Sequence, residues 1–257
     1  MQAVNFEEVR ATRKQQPLSG SGMCYKTALI TSPFDVVPGP EAFLIEGDPG
    51  SVSRAHFHIE NQFQIVVAGE GFLGKHTVAP LTVHYSQRDV GYGPILAGGH
   101  GLAYMTLRPR RDRRSLHFPE WRHVQRPRLP ARQHTVGPML QGALADLRKL
   151  PGVRTEILIA PEDDGLAAWC LRVPPGMAAA APEPVAGEGR YYMVVDGLLD
   201  ADGQTYPRWS CIFCARGEAQ PVLRAGPDGL ILLALQFPDD PVTPDENRRV
   251  LRPRETQ

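Results

Sequence analysis

His56-Phe57-His58, followed by Gln62 and, beyond a Pro/Gly-rich stretch, by His100, is the grouping whose residue types could do chemistry. Side chains alternate faces along a β-strand, so a His-x-His pair presents both imidazoles on one side. Gln62 precedes the apolar run Ile65-Val66-Val67, which ends at Gly69-Glu70-Gly71, a predicted hairpin turn that puts an amide oxygen on the next strand. His100 follows Pro94 and Gly98-Gly99, a corner from which an antiparallel neighbour could bring a third imidazole to the same point. The spacing predicts one divalent transition metal held by His56, His58, Gln62 and His100. Nitrogen donors suit iron, zinc, nickel and copper. Iron is expected first, with zinc, nickel, manganese or copper as alternatives. The competing reading is structural: a histidine in an apolar strand is often a hydrogen-bonded core residue, although three would each need a buried partner.

The elements that must position these residues read as strands. Gly and Pro, 25 of each, are spread through the chain and separate short apolar runs. The runs 26–31, 42–46, 64–68, 82–85, 102–107, 155–159, 167–173, 191–195, 210–215 and 230–237 predict an all-β chain. A helix is expected over 138–150. A small barrel holds one small ligand, so Phe57, Phe63, Gln64 and Tyr92 are expected to wall a substrate pocket. His84 and Tyr104 are the candidates for acid–base work.

An internal repeat sets the domain count. Pro94 to Pro109 parallels Pro221 to Pro238, and the segment from Gln64 through Gly69 parallels that from Tyr192 through Gly197. Aligned on Gly197, the second copy has Pro184, Ala186 and Arg190 where His56, His58 and Gln62 stand, and Asp228 at the place of His100. It offers no imidazole and is expected to hold no metal.

Gly50, His56, His58 and Gly69, with Gln62 at a carboxylate position, and Pro94, Gly98 and His100 resemble the two motifs of the cupin superfamily. The resemblance covers roughly residues 22–109 and 153–238. It implies a bicupin, two jelly-roll barrels in one chain: a metal-type barrel over 1–110, an Arg/Pro-rich linker over 111–135 and a degenerate barrel over 136–257. It also implies a homodimer, and a metal-dependent enzyme of dioxygenase type acting on a small organic molecule. Isomerase or lyase chemistry, and a non-catalytic binding or sensing protein, stay open.

The remaining features exclude classes. Lys+Arg and Asp+Glu are both 28, so no global field favours nucleic acid or an anionic membrane. Nine arginines fall between 108 and 132, among four prolines that would break any helix. The stretch is expected to form an extended linker that wraps one barrel and pairs its arginines internally or across a dimer, with binding of an anionic ligand as the alternative. With no signal-like start and no apolar run of the ~18 residues that span a bilayer, a cytoplasmic protein is expected. Cys211 and Cys214 lie on one predicted strand, where residues three apart face opposite ways, so buried separate thiols are expected.

Overall fold

The computed structural model describes residues 1–33, 39–112, 114–124, 131–139, 144–183 and 186–240. The chain is all-β, with a cupin-like fold, and divides into two compact units, one of Arg13–Met139 and one of Met1–Thr12 with Leu140–Asp240. In the first unit the sheet runs Gln133–Val136, Val83–Ser86, Gln62–Leu73, Ile95–Arg108, Glu41–Gly47, Met23–Thr31, Lys14–Pro17, and a separate ribbon pairs His56–Phe57 with Leu116–His117. In the second it runs Gln2–Val4, Cys211–Ala215, Gly189–Ala201, Leu223–Phe237, Ala167–Val173, Arg154–Ile159.

The duplication extends to register. Leu102 pairs with Gly69 in the first unit, and Leu230 pairs with Gly197 in the second, each in the central strand pair. Both glycines have positive φ, +73° and +84°, and a Cβ on either would lie 2.1 or 2.2 Å from a carbonyl oxygen of the opposing strand. Only glycine fits such a crossing. Gly69 is therefore not the hairpin turn the sequence suggested: the strand passes through it to Leu73.

The domain boundaries differ from those expected. Gln2–Val4 pairs with Cys211–Ala215, and the Phe6 N–H donates to Ser210 Oγ at 3.0 Å, so the N-terminal residues complete the second unit. The Arg-rich stretch is built into the first unit through two strand pairings, since sheet edges need partners. Arg110 Nε contacts Glu60 at 2.9 Å, Arg111 Nη1 donates to the Ser32 carbonyl at 2.8 Å, and the Arg114 guanidinium lies 4.5 Å over Trp121. Arg113, Arg126 and Arg128 lie outside the described residues. So do positions 140–143 of the expected helix, of which one turn, Leu144–Leu147, is described. Among the described residues no helix is long and apolar enough to cross a membrane.

Candidate functional site

His56 and His58 are brought together as strand alternation requires. Both are buried, their ring centroids 5.0 Å apart and nearly perpendicular. His56 Nδ1 lies 2.7 Å from the Arg54 carbonyl and so carries the proton, leaving the Nε2 lone pair to accept from the Tyr92 hydroxyl at 2.8 Å. Burial holds the His56 pKa well below 6.5, and neighbouring His58 lowers it further. His58 Nδ1 faces the buried Asp112 carboxylate. Burial and the Arg108 charge lower the His58 pKa; burial raises that of Asp112, but His58 and Arg108 outweigh it and hold the acid below its usual range. His58 is therefore a neutral donor to an anionic Asp112.

Arg108 occupies the centre. Its Nε and Nη2 donate to Gln62 Oε1 at 3.2 and 3.0 Å, and its Nη1 pairs with Glu41 at 2.7 Å. Nη2 is 3.3 Å from His58 Nδ1 and 3.1 Å from Nε2. Near-equal distance to both ring nitrogens places it over the ring face, because an in-plane approach would collide with the C–H between them.

His100 is not part of this arrangement. The central strands match Ala97 to Gly71 and Leu102 to Gly69, so residues 98–101 bulge opposite Glu70 alone and the alternation of faces is reset. The His100 side chain, 87% exposed, pairs with Glu70 at 3.0 Å. A metal does not fit the residues as they stand: the third imidazole is elsewhere, and a guanidinium nitrogen lies between Gln62 and His58, where an ion would sit. Among the described residues no group of three or more His, Cys, Asp or Glu is placed to hold a metal.

What these residues enclose is a cavity of about 230 Å³, lined among others by Lys26, His56, His58, Gln64, Tyr92, Tyr104, Arg108 and His117. The Lys26 ammonium lies 3.8 Å over the Phe43 ring, with no carboxylate in ion-pair reach among the described residues, and burial lowers its pKa. Gln64 Oε1 is buried without a partner. Burial raises the phenol pKa values of Tyr92 and Tyr104, so both keep their protons.

Three expected site residues lie elsewhere. Phe57 packs with Leu116 and Trp121, and Phe63 packs against Tyr85 at 5.1 Å. Each sits between two cavity-side residues, so alternation sends it to the opposite face. His84 is buried behind the cavity, its Nδ1 2.9 Å from Thr135 Oγ1, and it borders a separate small apolar void. Sequence reasoning missed Lys26, Arg108, Asp112 and His117. Arg108 is legible in principle, since it follows Tyr104 and Thr106 at strand period, but it also opens the arginine-rich run, which masks it.

No family model and no curated protein matches the sequence. Solved structures do match in fold. Oxalate decarboxylase from Bacillus subtilis, determined at pH 4.6, superposes with a TM-score of 0.57 at 13% identity, covering 89% of this chain and 75% of that one. A candidate dioxygenase from Nostoc punctiforme gives 0.59 at 12% identity, covering 93% and 82%. A further structure of the Bacillus enzyme, with Mn(II) centres, gives 0.57 at 13%, covering 90% and 77%. These neighbours share the cupin fold.

Proposed function

We propose that the first unit is an enzyme site for a small organic carboxylate, in which Lys26 and Arg108 hold the anion and the His56–Tyr92 pair moves a proton. The observation that carries this reading is the sign of the cavity wall: Lys26 and Arg108 line it, whereas their counter-charges Glu41 and Asp112 do not. A carboxylate seated there gains charge-assisted hydrogen bonds in a place shielded from water. Gln64 Oε1, buried and unpartnered, favours a substrate with a hydroxyl or amino donor beside the carboxylate.

The proton path follows from the tautomer. Tyr92 Oη takes a proton from the bound molecule as its own passes to His56 Nε2, and the reverse step returns it. The cations stabilise negative charge developing next to the carboxylate. Because His56 stays neutral well below pH 6.5, the base form persists into mildly acidic solution. Isomerisation, elimination and decarboxylation all begin or end with such a transfer. The likeness to an oxalate decarboxylase agrees with a small carboxylate substrate but is a likeness of fold.

The test is calorimetric titration with lactate, glycine and malonate, followed by proton NMR in D2O for exchange next to the carboxylate. Saturable binding with exchange is expected. Lys26→Met should weaken binding at least tenfold, since about 1.4 kcal/mol is a factor of ten and a desolvated ion contact is worth more. Binding without exchange would make the site a sensing or storage pocket, and no binding would end the proposal.

One feature favours a second reading, a metal-loaded site. Each histidine has its Nδ1 fixed, by a carbonyl and by a carboxylate, as metal-ligating imidazoles commonly have. It would require Arg108 to leave Gln62 and His58. Elemental analysis of protein purified without a His tag separates the two: stoichiometric metal lost in both His56→Ala and His58→Ala would favour the second.

A further inference from the structure

The second unit repeats the buried arginine of the first with its compensation removed. Aligned on Gly69 with Gly197 and on Leu102 with Leu230, Gln62 falls on Arg190 and Arg108 falls on Gln236. The arginine–glutamine pair has thus exchanged strands. Arg190 sits opposite Gln236 in register and donates from Nε to Gln236 Oε1 at 3.0 Å, as Arg108 does to Gln62. The Gln236 amide nitrogen is held by the Gly189 carbonyl at 3.0 Å and by those of Ala186 and Phe237 at 3.3 Å, which fixes its oxygen toward the guanidinium.

Arg108 has Glu41 and Asp112 beside it, whereas Arg190 has no ion pair among the described residues although it is only 1% exposed. Its Nη1 donates to the Tyr192 hydroxyl at 3.3 Å, and that hydroxyl donates to Gln220 Oε1 at 2.7 Å. The guanidinium lies 5.1 Å over the Trp169 ring, and Nη2 is buried from solvent without a hydrogen-bond partner. A buried cation without a counter-ion is costly and persists where something compensates it. Arg190 borders a cavity of about 550 Å³, within the range of small-molecule pockets. The other charged groups around it are engaged or exposed: Glu218 holds the terminal ammonium and the Ala215 N–H, Arg216 pairs with Asp239 at 3.0 Å, and Glu183 faces solvent.

We propose that the second unit carries its own ligand site, in which a small organic carboxylate enters the cavity that Arg190 borders and compensates the charge of its guanidinium. The unit is then a second binding module, and its loss of the histidines marks a change of ligand mode from that of the first. The proposal stands independently of the function argued for the first unit.

The experiment uses the full chain with Lys26→Met, which removes the cation proposed to anchor ligands in the first unit. Acetate, succinate and benzoate are titrated against chloride at matched ionic strength, and alkylation of each cysteine is followed by mass spectrometry. Cys214 borders the cavity and Cys24 lies in the first unit, so the expected result is saturable binding that slows Cys214 at least fivefold and leaves Cys24 unchanged. Arg190→Gln, which keeps an amide opposite Gln236, should weaken binding at least tenfold. If that variant does not fold, protection of Cys214 in the Arg190-containing chain decides alone. Binding that Arg190→Gln leaves intact, or no protection of Cys214 by any of the three acids, overturns the proposal.

Discussion

At the residue scale, the proposed chemistry rests on imidazoles kept neutral by burial. His84 shows the energetic consequence most directly, because its pKa is pushed down to about 4. The unfolded chain takes up a proton near 6.5 while the folded site resists until about 4, so this contribution is complete above 6.5 and is lost as pH falls through that window. For this ring alone the loss is about 3 kcal/mol. His56 and His58 act in the same direction. Urea melts between pH 7 and pH 4 should show a steep loss of stability that is shallower in His84→Gln; an unchanged slope would mean that His84 is not desolvated. Much of this site was legible from alternation, which placed His56, His58, Gln62 and Gln64 correctly with respect to one another. The partners of the imidazoles were not legible, because Asp112 and Lys26 arrive from elements far away in sequence whose approach is set by packing.

At the element scale, the central strand pair of each unit turns on one glycine. Gly69→Ala and Gly197→Ala would both force a Cβ against an opposing carbonyl in addition to a left-handed backbone. Each should cost well over the ~1 kcal/mol of left-handed backbone alone. Gly50→Ala has φ +69° but nothing within 4 Å, so it should cost only that backbone term. Thermal melts of the three variants check the contrast; equal shifts would show that the crossing is not tight. The strands themselves were readable, and Ala167–Val173 matches its expected bounds. The bulge at 98–101 was not, since a Gly-Gly-His-Gly run reads equally well as a corner. That single misreading carried His100 into a metal site from which the fold excludes it.

At the scale of the whole molecule, duplication was visible in the repeat around Gly69 and Gly197, but the ownership of the edges was not. Terminal strands are assigned by which sheet edge lacks a partner, and segments as short as the three residues Gln2–Val4 carry little signal of their own. The structure gives that segment to the second unit, with Phe6 buried and its ring 5.3 Å from Trp209. Phe6→Ala should destabilise the second unit by about 3 kcal/mol. It should speed alkylation of buried Cys211, which pairs with Val4, while Cys24 in the first unit keeps its rate. Parallel acceleration of both cysteines would contradict this assignment.

Two units of one fold thus place a buried arginine and glutamine at the same point, in the first beside two neutral histidines and a lysine with no ion pair among the described residues. The claim that this makes an anion site rather than a four-ligand metal site is tested most directly by titrating chelator-treated protein with malonate in a calorimeter. Saturable binding without added metal, lost in Lys26→Met, is the predicted result. Binding that appears only after one equivalent of a divalent metal is restored, and that Lys26→Met leaves unchanged, would contradict it.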